Sequence, residues 1–417
     1  MIDKVSFTNF KSLRRVDVDL RRFMVIVGPN GSGKTSILDG LHYLAQATQK
    51  PLASILRGVF APPNLQSRGA EEPMKLAVSG HYRSMIAEIS LAITCNDGAA
   101  PIPVWSALVA RRWGESEEKT SETRDGSKPF PKPDAPLHPK LAPLLRVRPR
   151  GAPPPPPATR GPQSRDMVAL AQELGSTRKL RLDVEKLAAP SYSDDETPRL
   201  AIDGEGLASV LADLAGRAPT VFESIQDAAT QVIPTLARIR TRRAKVYERV
   251  QQEIRIDNEP LAHTVDRPTW GQQLILDFKG APDVPAPLAS EGTLLVIGLL
   301  TALLSEPRPR LLLLDDIDKA LHPRAQRELV AQLRRVLALD PELQIIATSH
   351  SPYLLDHFEP QDVLVTALRA DGSTACAPLT AHSDFERWKN TTHAGELWSF
   401  LGDEWVAERS SAESEPG

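Results

Sequence analysis

The alternation of apolar and polar positions divides the chain into strand-like and helix-like stretches. Ile2 to Val27 reads as two or three strands, KVSFTNF, RVDVDL and FMVIV, the second with a two-residue apolar period. Thr35 to Ala47 has helical spacing, and residues 48–75, carrying Pro51, Pro62, Pro63 and Pro73, read as a connecting loop. Met74 to Tyr82, Met85 to Thr94 and Val104 to Arg111 predict an antiparallel β layer beside the strand of Phe23 to Val27. From Asp166 to about Ile233 the period becomes helical. Val168, Leu170, Ala171 and Leu174 open it, Leu207, Val210, Leu211 and Leu214 continue it, and Phe222, Ile225, Ala228, Ala229 and Val232 follow Pro219. Arg238 to Phe278 returns to strand-like alternation. Leu311 to Leu314 and Gln344 to Thr348 are short apolar strands whose flanking helices imply parallel pairing with Phe23–Val27. No heptad pattern lasts for several turns, which excludes a long coiled-coil arm.

Residues 128–162 interrupt this pattern with many prolines, among them the run Pro153 to Pro157. Proline removes backbone donors and fixes φ, so the segment reads as an exposed, extended or disordered loop, either a spacer or a ligand for a proline-recognising domain. The expected organisation is then residues 1–127 and 281–380 as two parts of one head, 128–163 as the loop, 164–280 as a helical insertion with basic strands, and 381–417 as a Trp-rich tail. Hydrophobic content of 41% and charged content of 25% are ordinary for a soluble globular protein. A formal net charge of -3 argues against bulk attraction to nucleic acid and leaves room only for local basic patches. Cys95 and Cys376 form neither a disulfide framework nor a metal-ligand spacing, which implies a reducing cytoplasm. The longest apolar run, Leu294 to Leu304, is too short to span a bilayer, and the charged N-terminus lacks the apolar core of a secretory signal.

Chemistry concentrates first at Gly28-Pro-Asn30-Gly31-Ser32-Gly33-Lys34-Thr35-Ser36, which follows the apolar strand and opens a helix. This is the P-loop pattern. Its glycines let backbone N–H groups wrap a phosphate, Lys34 reaches the β- and γ-phosphates, and the Thr35 hydroxyl ligates Mg²⁺. A second cluster follows the apolar run Leu311–Leu314: Asp315 is placed to hold Mg²⁺ opposite Thr35, and Asp316 to orient or deprotonate an attacking water.

Five segments then resemble an ABC-type ATPase of the SMC/RecF-like branch, the group that includes the ATPase part of overcoming-lysogenisation-defect proteins. Asn9-Phe10-Lys11-Ser12 resembles its opening "NF-basic-S" element, and residues 28–36 its Walker A. Leu288-Ala289-Ser290-Glu291-Gly292-Thr293 resembles the ABC signature, and Leu311 to Pro323 the Walker B with its "LHP" turn. Thr348-Ser349-His350-Ser351-Pro352 resembles the switch-histidine segment. The resemblance implies an α/β P-loop NTPase head with an antiparallel β layer and a helical insertion. It also implies ATP and Mg²⁺ as ligands and a homodimer in which Ser290 and the Gly292 amide cap the γ-phosphate held by a second subunit's P-loop. His350 would sense that phosphate.

Two departures stand out. The family places Glu where this chain has Asp316, and Pro where it has Ile317; the shorter acid implies slow turnover. Gln66 is one candidate for the Q-loop glutamine. Arg238, Arg240 and Arg242 share one strand face and read as a solvated face in preference to a phosphate-binding one, while Arg243, Lys245 and Arg249 extend the basic character of the stretch. Trp398, Leu401 and Trp405 share a helical face if the helix tolerates Gly402, for packing on the head or for docking another protein. The residues after His350 lack the acidic cluster of a metal-dependent nuclease, so a nuclease effector would be a separate chain. Two functions compete: an ATP-hydrolysing dimer coupled to anti-phage defence or DNA repair, with DNA left open as a partner, and an ATP-switched scaffold that restrains a partner protein.

Overall fold

A five-residue strand with every side chain buried needs a sheet covered on both faces, and β3 (Phe23–Val27) lies in one. The computed structural model describes residues 1–58, 61–82, 85–95, 102–113, 116–125, 170–256, 259–389 and 391–412. The Pro-rich segment 128–163 and Val168 lie outside the described residues.

Parallel partners flank β3 on both sides, β13 (Gln344–Thr348) and β14 (Val363–Leu368). Beyond β13 come β12 (Leu311–Leu314) and β8 (Arg178–Leu180), also parallel, and antiparallel β15 (Thr374–Pro378) closes the far edge beside β14. The strand period of two separates the faces. Val25, Val27, Leu312, Leu314, Ile345 and Ala347 enter one core with the helices Leu207–Arg217, Pro219–Val232, Glu291–Leu304 and Pro323–Leu339. Met24, Ile26, Leu313 and Ile346 enter the other, with Ile37, Leu38 and Leu41 of the helix Lys34–Gln49. That second core is shared with a six-stranded antiparallel sheet ordered β2 (Leu13–Asp19), β1 (Ile2–Phe10), β4 (Met74–Tyr82), β5 (Met85–Thr94), β6 (Ile102–Trp113) and β7 (Ser116–Asp125). The architecture is the mixed α/β P-loop type with an antiparallel layer.

Several expectations are corrected. β7 has no apolar alternation; SEEKTSETRD is a charged edge strand, held by pairing with β6. The loop expected at 48–75 contains two short helices, Leu52–Ile55 and Pro62–Leu65. Within the stretch read as a helical insertion, β8 joins the central sheet beside β12. The basic strands form one long antiparallel hairpin, β9 (Leu236–Ile256) and β10 (Glu259–Phe278), with β11 (Ala281–Pro285) at its base. Strands of 21 and 20 residues reach roughly 65 Å at about 3.3 Å per residue. The C-terminal aromatic face is not one helix. Gly402, with φ of 68°, separates Ala394–Leu401 from Glu404–Ala412, although Trp398, Leu401 and Trp405 all pack against the core. Among the described residues no helix is long and apolar enough to cross a membrane.

One ion-pair junction ties the two sheets to the P-loop helix. Asp39, on that helix, receives Lys11 from the β1–β2 turn and Lys179 from β8. Burial resists ionisation of Asp39, but the hydrogen bonds and charges of the two ammonium groups outweigh it and hold its carboxyl below the usual range. Removing the acid leaves the buried Lys179 and the half-buried Lys11 facing each other, so Asp39→Asn should lower the unfolding free energy by about 2–3 kcal/mol at neutral pH. Because the folded pKa lies below the unfolded one, this stabilisation is complete above the unfolded value and fades as pH falls through the folded value. Urea titrations of wild type and Asp39→Asn should therefore differ fully at pH 7 and begin to converge only below about pH 4. A gap that persists unchanged in acid contradicts the junction.

Candidate functional site

The C-terminal ends of β3, β12 and β13 share one edge of the parallel sheet, because Leu314 is in register with Ala347 and Ala347 with Val25. Loops leaving that edge carry the expected chemistry. After Val27 the chain turns through Gly28, Gly31 and Gly33, with φ of 143°, 81° and 98°. Gly33 is the left-handed residue before the helix Lys34–Gln49, and no side chain caps that helix. Its first amides therefore remain available to an anion. Space enforces two of these glycines as well as conformation. A Cβ on Gly28 would lie 2.1 Å from the Thr366 carbonyl oxygen, and one on Gly33 would lie 2.3 Å from Thr374 Oγ1. The β14–β15 hairpin thus fits closely around the loop. Ser32 Oγ lies 2.6 Å from Thr366 Oγ1, which donates to the Val27 carbonyl at 2.9 Å. Thr374 Oγ1 donates to Ser12 Oγ at 2.8 Å, linking the loop to the Asn9–Ser12 element. Asn30 and Gly31 form the exposed crown of the loop, and Ser36 is half-buried on the helix.

Lys34 Nζ donates to the carbonyls of Gly28 and Pro29 at 2.8 and 2.9 Å. Burial lowers its pKa, against the pull of Asp316, Asp403 and Asp315. Asp315 Oδ1 accepts from Thr35 Oγ1 at 3.1 Å and from Thr348 Oγ1 at 3.0 Å. The next amide, Asp316 N, donates to the same Thr348 hydroxyl at 2.8 Å. Asp316 has φ of 54°, the left-handed region that costs a non-glycine residue about 1 kcal/mol or more. Burial and then the neighbouring Asp315 charge raise its pKa. His350 Nε2 lies 3.9 Å from Asp316 Oδ1, and His350 N donates to Asp318 Oδ1 at 3.3 Å. The P-loop, Asp315, Asp316 and His350 are therefore brought together.

Ser290 and Gly292 stand apart from this cluster. Ser290 caps the helix Glu291–Leu304, accepting from Thr293 N at 3.4 Å with Thr293 Oγ1 2.7 Å away. No hydrogen bond of Ser290 among the described residues reaches the P-loop. Leu288 is 77% exposed, and Ser290 and Gly292 line an open cleft with Ala320, His322 and Arg324. Gly292 has a packing reason too: a Cβ there would come within 2.7 Å of the Ala320 carbonyl. Gln66 donates its amide to the carbonyls of Ala70 and Glu72 and pairs through its backbone with Phe10, which places it beside the Asn9–Ser12 turn.

Sequence reading missed four residues around the loop. Thr348 was covered by the switch-histidine segment but given no role. Thr366 and Thr374 belong to β14 and β15, and only their position against the glycines gives them meaning. Asp403 follows the Gly402 break; Trp398 Nε1 donates to it at 2.7 Å, burial raises its pKa, and its charge acts on Lys34. Among the described residues no group of three or more His, Cys, Asp or Glu could hold a metal ion. The hard oxygens of Thr35 and Asp315 do converge, and such a pair suits Mg²⁺ that takes its remaining ligands from phosphate and water.

Two family models match the chain: "AAA ATPase domain" over residues 1–90 and "AAA domain, putative AbiEii toxin, Type IV TA system" over residues 160–356. No curated protein matches. An SMC head bound to the C-winged helix domain of ScpA is similar over 92% of this chain and 99% of that chain, at 13% identity and a TM-score of 0.50. The SMC head domain of Thermotoga maritima aligns over 90% of this chain and 98% of its own, at 14% identity and a TM-score of 0.41. The Pyrococcus furiosus SMC head with an extended coiled coil, bound to the C-terminal domain of ScpA, covers 90% of this chain and 95% of its own, at 12% identity and a TM-score of 0.45.

The charge of Asp403 should oppose a phosphate at the loop. Asp403→Asn is expected to tighten binding of a fluorescent ATP analogue by roughly threefold, from loss of one partly screened like charge. Equilibrium titration at low salt measures it; an unchanged or weaker affinity contradicts the assignment.

Proposed function

We propose that this chain, an AAA-family ATPase built on the P-loop fold of an SMC head, is one half of a dimer that closes around two molecules of ATP. The observation that carries the proposal is the separation of the two phosphate-directed elements. Lys34, Thr35 and Asp315 form one cluster, while Ser290 and Gly292 open onto a cleft with no bond to it. Each copy then offers one phosphate cradle and one helix tip. In this reading the amides of residues 31–36 and Lys34 bind the β- and γ-phosphates. Thr35 and Asp315 hold Mg²⁺, which neutralises phosphate charge when bound. Asp316 accepts a proton from the attacking water, and His350 beside it contacts the γ-phosphate. Ser290 and Gly292 of the second copy cap that phosphate, so its presence holds the dimer and its release opens it.

A second reading, an ATP-switched scaffold with slow turnover, is favoured by Asp316. Its carboxylate is one methylene shorter than a glutamate and projects from a left-handed residue. We place the protein in the cytoplasm, acting with a separate effector chain in defence or DNA repair. The toxin-system description of one matching family supports the defence branch.

Light scattering tests the proposal. Mg²⁺-ATP should convert wild type from monomer to dimer, Lys34→Ala should stay monomeric, and Ser290→Arg should bind ATP yet stay monomeric. A mass independent of ATP contradicts it. Asp316→Glu should raise kcat tenfold or more if the short arm limits the chemistry, since sub-ångström to ångström misplacement costs that much. An unchanged rate removes the short-arm explanation.

A further inference from the structure

The two faces of the β9–β10 hairpin differ in chemistry. Arg238, Arg240 and Arg242 share one face, as their spacing requires, but Arg240 is ion-paired with Asp277 at 2.5 Å and with Asp283 at 2.6 Å. Arg242 lies against the Gln273 amide. This face is largely satisfied within the protein.

The opposite face begins in the core, where Ile239, Leu274 and Leu276 are buried. Farther out it carries Arg243, Lys245 and Tyr247 on β9 and Pro268 and Trp270 on β10, with Trp270 directly opposite Lys245. Trp270 is 56% exposed and Tyr247 66% exposed. The Arg243 guanidinium lies 5.1 Å from the Trp270 ring centroid and Lys245 Nζ lies 5.9 Å from it. Asp266, opposite Arg249, is an acid on this face. The base of the platform is fixed: Ser191 and Gln272 exchange two backbone hydrogen bonds of 2.8 Å, and a Cβ on Gly271 would lie 2.3 Å from the Ser191 carbonyl.

Two exposed aromatic rings on one strand face, flanked by cations, suit a ligand with both flat apolar faces and negative charge. We propose that Arg243, Lys245, Tyr247 and Trp270 form a platform for single-stranded nucleic acid. Bases stack on Trp270 and Tyr247, diagonal neighbours roughly 7 Å apart, and phosphates pair with Arg243 and Lys245. Duplex hides its base faces within the stack, and an acidic polypeptide would use the cations while leaving the rings idle. The platform acts without any requirement for ATP, so it stands or falls separately from the dimer.

The test is fluorescence anisotropy of the full chain with a short labelled oligothymidylate, in parallel with a duplex and with polyglutamate as competitor. Trp270→Ala should weaken single-strand binding about tenfold, with Trp270→Phe retaining most of it. Arg243→Ala/Lys245→Ala should lower the salt slope by about 1.4. Arg238→Ala/Arg242→Ala, on the other face, should change affinity less than twofold. All four side chains are exposed, and unchanged thermal midpoints verify folding. Binding that survives Trp270→Ala, that follows Arg238 and Arg242, or that polyglutamate displaces as readily as oligothymidylate does overturns the proposal.

Discussion

In the proposed mechanism the nucleotide chemistry depends on one carboxylate oxygen. Asp315 Oδ1 accepts two hydroxyls, Thr35 from the tip of the P-loop helix and Thr348 from the end of β13. Those bonds form only because β3, β12 and β13 run parallel and in register, so that their C-terminal ends reach the same edge. A one-residue slip in any of them would withdraw its polar terminus from the site. Strand register and site geometry are therefore one constraint. Thr348 also holds the amide of Asp316, which fixes the left-handed residue carrying the second acid.

Much of this was legible in the sequence because it is encoded locally. Phe23 to Gly33 announces strand, turn and helix through an apolar run, glycines and a helical period. The acids after Leu311–Leu314 and His350 after Gln344–Thr348 are fixed by strand ends. What was not legible depends on distant partners. β7 is stabilised by pairing with β6 and carries no pattern of its own. Three residues of β8 are too few for any period. The alternation of Arg238, Arg240 and Arg242 was readable, but Asp277 and Asp283, which neutralise Arg240, come from neighbouring strands. Asp403 meets the field of Lys34 only after Gly402 breaks the Trp-rich helix and folds it back onto the core. The Asn9–Ser12 element was recognised by resemblance alone; the structure supplies its physics, with Lys11 on Asp39 and Ser12 on Thr374.

The P-loop and the acids lie at one edge of the parallel sheet, and the β9–β10 hairpin extends away from the core. The edge is closed in by the β14–β15 hairpin and by the C-terminal helices, whose Trp398 holds Asp403, an acid whose charge acts on Lys34. Helix tip Ser290–Thr293 faces outward at a cleft, while the β9–β10 hairpin extends from the core that this same helix enters. Leu294, Val296 and Ile297 of that helix share one core with Ile239 and Leu276 at the hairpin base.

In the proposed dimer a complete site needs two chains. Mixing Lys34→Ala protein with Ser290→Arg protein, each inactive alone, tests it most directly by ATP hydrolysis. In a mixed dimer one composite site has both lesions and the other has none, so activity should reappear at up to half the wild-type rate per dimer. A mixture as inactive as its components would contradict the account.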